Sequence, residues 1–109
     1  SRPVDEVVVP ATVRDGSVTV AVSTGGASPA LSKHLRERIE AEIAGAGEMA
    51  DLTADLRSDL RDGDYSPAER RDAVRRVVRA SSVWKALREG NAKPREEARN
   101  VIRDGGERT

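Results

Sequence analysis

Six residues, Ser23-Thr24-Gly25-Gly26-Ala27-Ser28, stand between the β-branched run Val18-Thr19-Val20-Ala21-Val22 and Pro29-Ala30-Leu31. Their types suit the binding of an anion. Glycines let backbone approach a ligand closely, because no Cβ stands in the way. The N–H groups at the start of a helix point outward and carry the positive end of its dipole. Ser23, Thr24 and Ser28 add hydroxyl donors to that set. The stretch has neither the lysine and spacing of a Walker loop nor a G-x-G-x-x-G pattern. A carboxylate or phosphate ligand fits this chemistry, and so does a well-capped strand-to-helix turn with no ligand at all.

Other side chains could join such a site. Lys33 and Arg36 follow the loop at a spacing of three, so on a helix they share one side. They can clamp a carboxylate or pair with Glu37 and Glu40. Arg71, Arg75 and Arg79, with Arg70 and Arg76 beside them, form a second basic group. It can hold carboxylates or phosphates by charge-assisted bonds, or it can be a solvated face paired with Asp59, Asp62, Asp64, Glu69 and Asp72. His34 is the only histidine and Cys is absent, which excludes disulfides and Cys/His-rich metal sites. It reads as an ordinary surface or interface residue.

The elements that must position these residues are legible from patterning. Val7 to Val13, interrupted by Pro10, and Val18 to Ser23 read as two strands joined at Asp15-Gly16, a hairpin. Val18, Val20 and Val22 share one face. A lone hairpin is marginal in water, so it is expected to join another sheet, from a missing domain or a second subunit. Ser28 and Pro29 open a helix with Leu31, Leu35, Ile39 and Ile43 in one stripe, expected to end at Gly45 and Gly47. Met49, Leu52, Leu56 and Leu60 mark a second helix. Ser66-Pro67-Ala68-Glu69 is a capping box opening a third. A short helix through Val83, Trp84 and Leu87 follows, with Trp84 as an anchor for the last helix, opened by Pro94. The tail from Asp104 is expected to fray. The fold class is therefore α+β: an N-terminal hairpin followed by about four to five helices. Residues 1–45 are expected to form a dimerisation hairpin with the first helix, and residues 46–109 a helical domain.

Composition limits the alternatives. In 109 residues, aromatic side chains are 2% and charged ones 35%, with 19 basic and 19 acidic residues. A core of Val, Leu, Ile and Ala will be small and asks for a partner chain. Zero net charge and few rings argue against nucleic acid. No run is long and apolar enough for a membrane span, and no signal peptide is visible, so a soluble cytoplasmic protein is expected. The first residue is not Met, which suggests a boundary inside a longer protein.

The runs Val9-Pro10-Ala11, Val20-Ala21-Val22-Ser23-Thr24-Gly25-Gly26-Ala27-Ser28-Pro29-Ala30-Leu31 and Leu35-Arg36-Glu37-Arg38-Ile39-Glu40 resemble the signature of the precorrin-2 dehydrogenase/sirohydrochlorin ferrochelatase family. Val83 to Gly90 and Glu96-Glu97-Ala98 are similar to that family's C-terminal helical region. The resemblance is strong from Val7 to Ile43 and weak from Met49 to Ser81. It implies a siroheme-biosynthesis protein with a Rossmann domain for NAD, a central dimerisation region and a C-terminal helical domain. Such proteins oxidise precorrin-2 to sirohydrochlorin, passing hydride to NAD, and some also insert iron. The implied homodimer holds its carboxylate-rich tetrapyrrole between the NAD domain and the partner's helical parts. On that resemblance Ser23, Thr24, Gly25, Gly26 and Ser28, joined by Lys33 and Arg36, contact substrate. The family's NAD loop has no counterpart here, and its catalytic Asp falls before Ser1. Asp5 and Glu6 do not inherit that role. The chain by itself is therefore expected to bind neither NAD nor metal and to be inactive. A stand-alone helical interaction module without catalysis is the alternative reading.

Overall fold

The computed structural model describes residues 10–90 and 93–107. Two strands precede five helices: β1 Ala11–Asp15, β2 Val18–Val22, α1 Pro29–Glu42, α2 Ala46–Arg61, α3 Pro67–Arg79, α4 Ser81–Arg88 and α5 Pro94–Glu107. The α+β expectation of a hairpin followed by helices is borne out. The chain divides into two compact units, Ser1–Ala44 and Gly45–Thr109.

In the first unit β1 and β2 pair antiparallel, with Val13 opposite Val20 and Asp15 opposite Val18. Gly16-Ser17 is thus a two-residue loop with glycine first, as a type II′ hairpin turn requires. The expected strand residues Val7 to Val9 lie outside the described residues. Side chains alternate by face along a strand. Val13, Val18, Val20 and Val22 are the more covered set, and Thr19 and Ala21 are exposed. Helix α1 packs on both strands. Even so, none of its residues is fully buried. Among the described residues of the first unit, Val13, at 4% exposure, is the buried hydrophobic one, whereas Leu31 on α1 remains 47% exposed.

The second unit has the larger core. Met49, Leu52 and Leu56 of α2, Val77 of α3, Val83 and Leu87 of α4 and Ala98 of α5 form one buried cluster. Trp84, Val101 and Ile102 pack against it, half-covered. The indole of Trp84 donates to the Val78 carbonyl at 2.7 Å, so its one polar group is satisfied. The Arg88 guanidinium lies 5.4 Å from its ring centre. Arg95 of α5 pairs with Asp55 of α2.

Two boundaries differ from expectation. Gly45 does not end α1: that helix stops at Glu42, and Gly45, at φ 94°, is the cap that opens α2. Gly47 lies inside α2 and is buried, its low helix propensity overridden by tertiary packing. The tail expected to fray from Asp104 is instead helical through Glu107. The Arg76 side chain lies so close to Gly105 that a Cβ there would come within 2.6 Å of it, so glycine is what admits this contact.

The capping box forms in both halves. Ser66 Oγ accepts from the Glu69 amide at 3.1 Å, and the Ser66 amide donates to Glu69 Oε1 at 2.8 Å. The backbone bond from Ser66, helped by its hydroxyl, holds the Glu69 carboxyl below the usual carboxylate range. A depressed folded-state pKa gives stability that is present above the unfolded value and is lost as pH falls through the folded one. Ser66→Ala is expected to cost about 1 kcal/mol. It should also flatten part of the acid limb of the stability curve, because the hydroxyl is lost while the backbone bond to Glu69 is kept; both effects are read by urea denaturation at several pH values.

Candidate functional site at the β2–α1 corner

The corner is built by local bonding. Gly25 and Gly26 both have positive φ, 66° and 80°. An added Cβ on Gly25 would meet nothing within 4 Å, so the backbone angle, not space, makes glycine the fitting residue. The loop then closes on itself. Thr24 Oγ1 accepts from the Ser28 amide at 3.1 Å and donates to the Ser28 carbonyl at 3.2 Å. It also lies 3.2 Å from Ser32 Oγ. Ser28 Oγ caps α1 by accepting from the Leu31 amide at 3.2 Å.

These bonds decide what remains for a ligand. The Gly25 amide is taken by Ser23 Oγ at 3.2 Å, and the Ala27 amide by the Thr24 carbonyl at 3.2 Å. Thr24 therefore acts first as a brace. The Gly26 amide has no acceptor among the described residues, and Ser23 and Ser28 accept while keeping their own O–H free to donate.

Ser23, Thr24, Gly26, Lys33 and Arg36 line one cavity of about 300 Å³, together with Ala11, Val22, Pro29 and Ser32. Gly25 and Ser28 do not line it; they shape the loop and cap the helix. Ser32 was not singled out from the sequence, although it stands one turn after Ser28 on the same helical face. Arg36 pairs with Glu40 at 3.2 Å, with 35% of its side chain exposed. An exposed i,i+4 pair is worth about 0.3–0.5 kcal/mol, so Arg36 can exchange Glu40 for a ligand carboxylate at little cost. Lys33 is exposed. His34 is exposed too, and among the described residues no group of three His, Asp or Glu stands together as a metal site would need.

The second basic group lies on the exposed side of α3, as a solvated face would, but it is only partly paired. Of the acids considered, Asp72 pairs with Arg76 at 3.0 Å, and Glu69 is used in the capping box. Arg71 and Arg75 have no ion pair among the described residues.

The dinucleotide expected in the full-length protein does not fit these residues. A pyrophosphate cradle needs successive free amides at the glycine loop. Here those of Gly25, Ala27 and Ser28 are already bonded within the loop. No helix among the described residues is long and apolar enough to cross a membrane.

A β-ribbon that hands a braced hydroxyl–glycine loop to a capped helix makes the first unit an α+β module, and a helical bundle follows it in sequence. Residues 15–42, which carry that corner, match the family described as sirohaem biosynthesis protein central. The chain is 32% identical over 97 residues to a precorrin-2 dehydrogenase of Methanosarcina barkeri, covering 88% of this chain and 43% of the relative. It is 41% identical over 96 residues to a siroheme synthase of Methylococcus capsulatus, covering 87% of this chain and 19% of the relative. It is 34% identical over 73 residues to the siroheme biosynthesis protein met8 of Schizosaccharomyces pombe, covering 66% and 28%. No solved structure matches the chain significantly. The chain belongs to the siroheme-biosynthesis family of precorrin-2 dehydrogenases and siroheme synthases. It spans less than half the length of these relatives.

Proposed function

We propose that this chain is the tetrapyrrole-side part of a cytoplasmic, homodimeric enzyme that oxidises precorrin-2 to sirohydrochlorin with NAD. The observation that carries the reading is the cavity at the β2–α1 corner, where Ser23, Thr24, Gly26, Lys33 and Arg36 meet. Its donors suit the carboxylates of a tetrapyrrole: one free amide, hydroxyls able to donate, and two cations on one helical side. NAD supplies the hydride acceptor, and a part of the protein outside these 109 residues holds it. The residues of this chain bind and orient the macrocycle; proton removal is assigned to none of them.

The homodimer is supported by the thin core formed by the described residues of the first unit. Val13 is its fully covered apolar residue, and Leu31 stands exposed at the head of the α1 stripe. A hairpin with one half-covered helix has too little buried apolar surface to be stable by itself.

The test is to assay the protein that carries this chain together with its nucleotide-binding part, following NAD reduction with precorrin-2 as substrate. Saturable conversion to sirohydrochlorin, weakened mainly in KM by Lys33→Gln, is expected. Unchanged kinetics in that variant would remove the corner from the substrate site.

A further inference from the structure

Helices α2 and α3 enclose a groove of about 530 Å³ whose polar lining is arginine alone: Arg57 and Arg61 from α2, Arg70, Arg71 and Arg75 from α3. Pro67 and Val74 supply its apolar part. No aspartate or glutamate lines it, although the chain as a whole carries 19 of each sign. Three acids of the same two helices, Asp59, Glu69 and Asp72, line a separate groove, in company with Arg76, Arg99 and Arg103. The α2–α3 groove thus gathers charge of one sign, sorted away from these acids.

The sorting is unfavourable for folding. Arg57 and Arg61 are four apart on α2, and Arg71 and Arg75 four apart on α3. Like charges at that spacing destabilise a helix. Among the described residues none of these four has an ion pair that would offset the repulsion. Arg70 is held in place: its guanidinium donates to the Tyr65 carbonyl at 2.7 Å, which satisfies a hydrogen bond and leaves the charge unneutralised.

We infer that the α2–α3 groove is a binding site for a small organic polyanion, a compact apolar body bearing several carboxylates. Guanidinium is planar and grips a carboxylate through two parallel N–H bonds, which lysine cannot do. Five such forks around an apolar floor match carboxylate groups spaced around a small ring or chain. The inference does not rest on the role given to the β2–α1 corner. A nucleic acid is the weaker fit, because no aromatic side chain lines the groove for a base to stack on.

The 109-residue chain should be titrated with benzenetricarboxylate, inorganic pyrophosphate and a short single-stranded oligonucleotide, in moderate salt, with amide shifts followed by NMR. Saturable shifts of Arg57, Arg61, Arg71, Val74 and Arg75 are expected with benzenetricarboxylate, at lower concentration than with pyrophosphate. The double variant Arg71→Gln/Arg75→Gln should weaken that binding at least tenfold. Both side chains are exposed and unpaired, so its circular dichroism and melting should match or exceed the parent's. Arg79→Gln, on the same helix but outside the groove lining, should leave binding unchanged. Equal weakening by Arg79→Gln would reduce the effect to net charge and overturn the site. So would absence of saturation, or tighter binding of pyrophosphate or the oligonucleotide than of the tricarboxylate.

Discussion

Replacing Lys33 and Arg36 together by glutamine is expected to weaken sirohydrochlorin binding by about 30- to 100-fold without unfolding the protein. Hydrogen bonds to charged groups contribute about 1.5–3 kcal/mol each when well made. Partial exposure of both cations lowers that figure, and about 2–2.7 kcal/mol for the pair corresponds to this range of affinity. The Arg36–Glu40 pair opposes it only slightly, because an exposed pair at this spacing contributes a few tenths of a kcal/mol. Stability should change little for the same reason. Isothermal titration of wild type and variant at two salt concentrations checks both points. The wild-type affinity should fall with salt and the variant's should fall less. A variant that binds as well as wild type would show that the cations at the corner do not face the ligand.

Leu56→Ala is expected to have the largest effect on stability. Leu56 is 4% exposed and sits in the cluster with Val77, Val83 and Ala98. Removing a buried leucine side chain loses its transfer free energy and leaves a cavity, at about 3 kcal/mol with a range of 2–5. A small domain has only about 5–15 kcal/mol in all, so a large part of the margin disappears. Helical circular dichroism should melt markedly earlier in the variant. An exposed residue on the same helix sets the contrast: Arg57→Ala should shift the transition little or raise it, because it relieves repulsion with Arg61. Equal destabilisation by both substitutions would mean that the α2 stripe is not the core-facing side.

The features legible in the sequence are those decided within a few residues. Ser28-Pro29 and Ser66-Pro67 with Glu69 announce helix starts because the capping partners lie within one turn. The four-residue spacing of Leu52, Leu56 and Leu60 announces a buried stripe because helical geometry alone puts them on one side. Gly45 and Gly47 mislead for a complementary reason. Both are poor helix formers, and local propensity cannot tell a cap from a glycine that packing has drawn into the helix. The α5 tail fails in the same way, since the approach of Arg76 to Gly105 joins residues far apart in sequence.

The candidate site divides along the same line. Its residue types, Ser23, Thr24 and the glycines, were readable as an anion-binding set. The internal bonding that commits Thr24 to Ser28 and Ser32 was not, because a hydroxyl's partner depends on the loop's final path. The arginine groove was half visible. Arg71 and Arg75 stand out on one helical face, but the pairing acids are placed by tertiary structure. So is the contribution of Arg57 and Arg61 from the neighbouring helix.

The proposed role depends on the β2–α1 corner receiving the carboxylates of a tetrapyrrole. Titrating sirohydrochlorin into the 109-residue chain, with amide resonances assigned, tests this most directly. Saturable shifts centred on Thr24, Gly26, Ala30, Leu31 and Lys33, attenuated in the Lys33→Gln/Arg36→Gln variant, are predicted. Resonances of that corner that stay in place while the ligand saturates elsewhere, or that move equally in the variant, would contradict it.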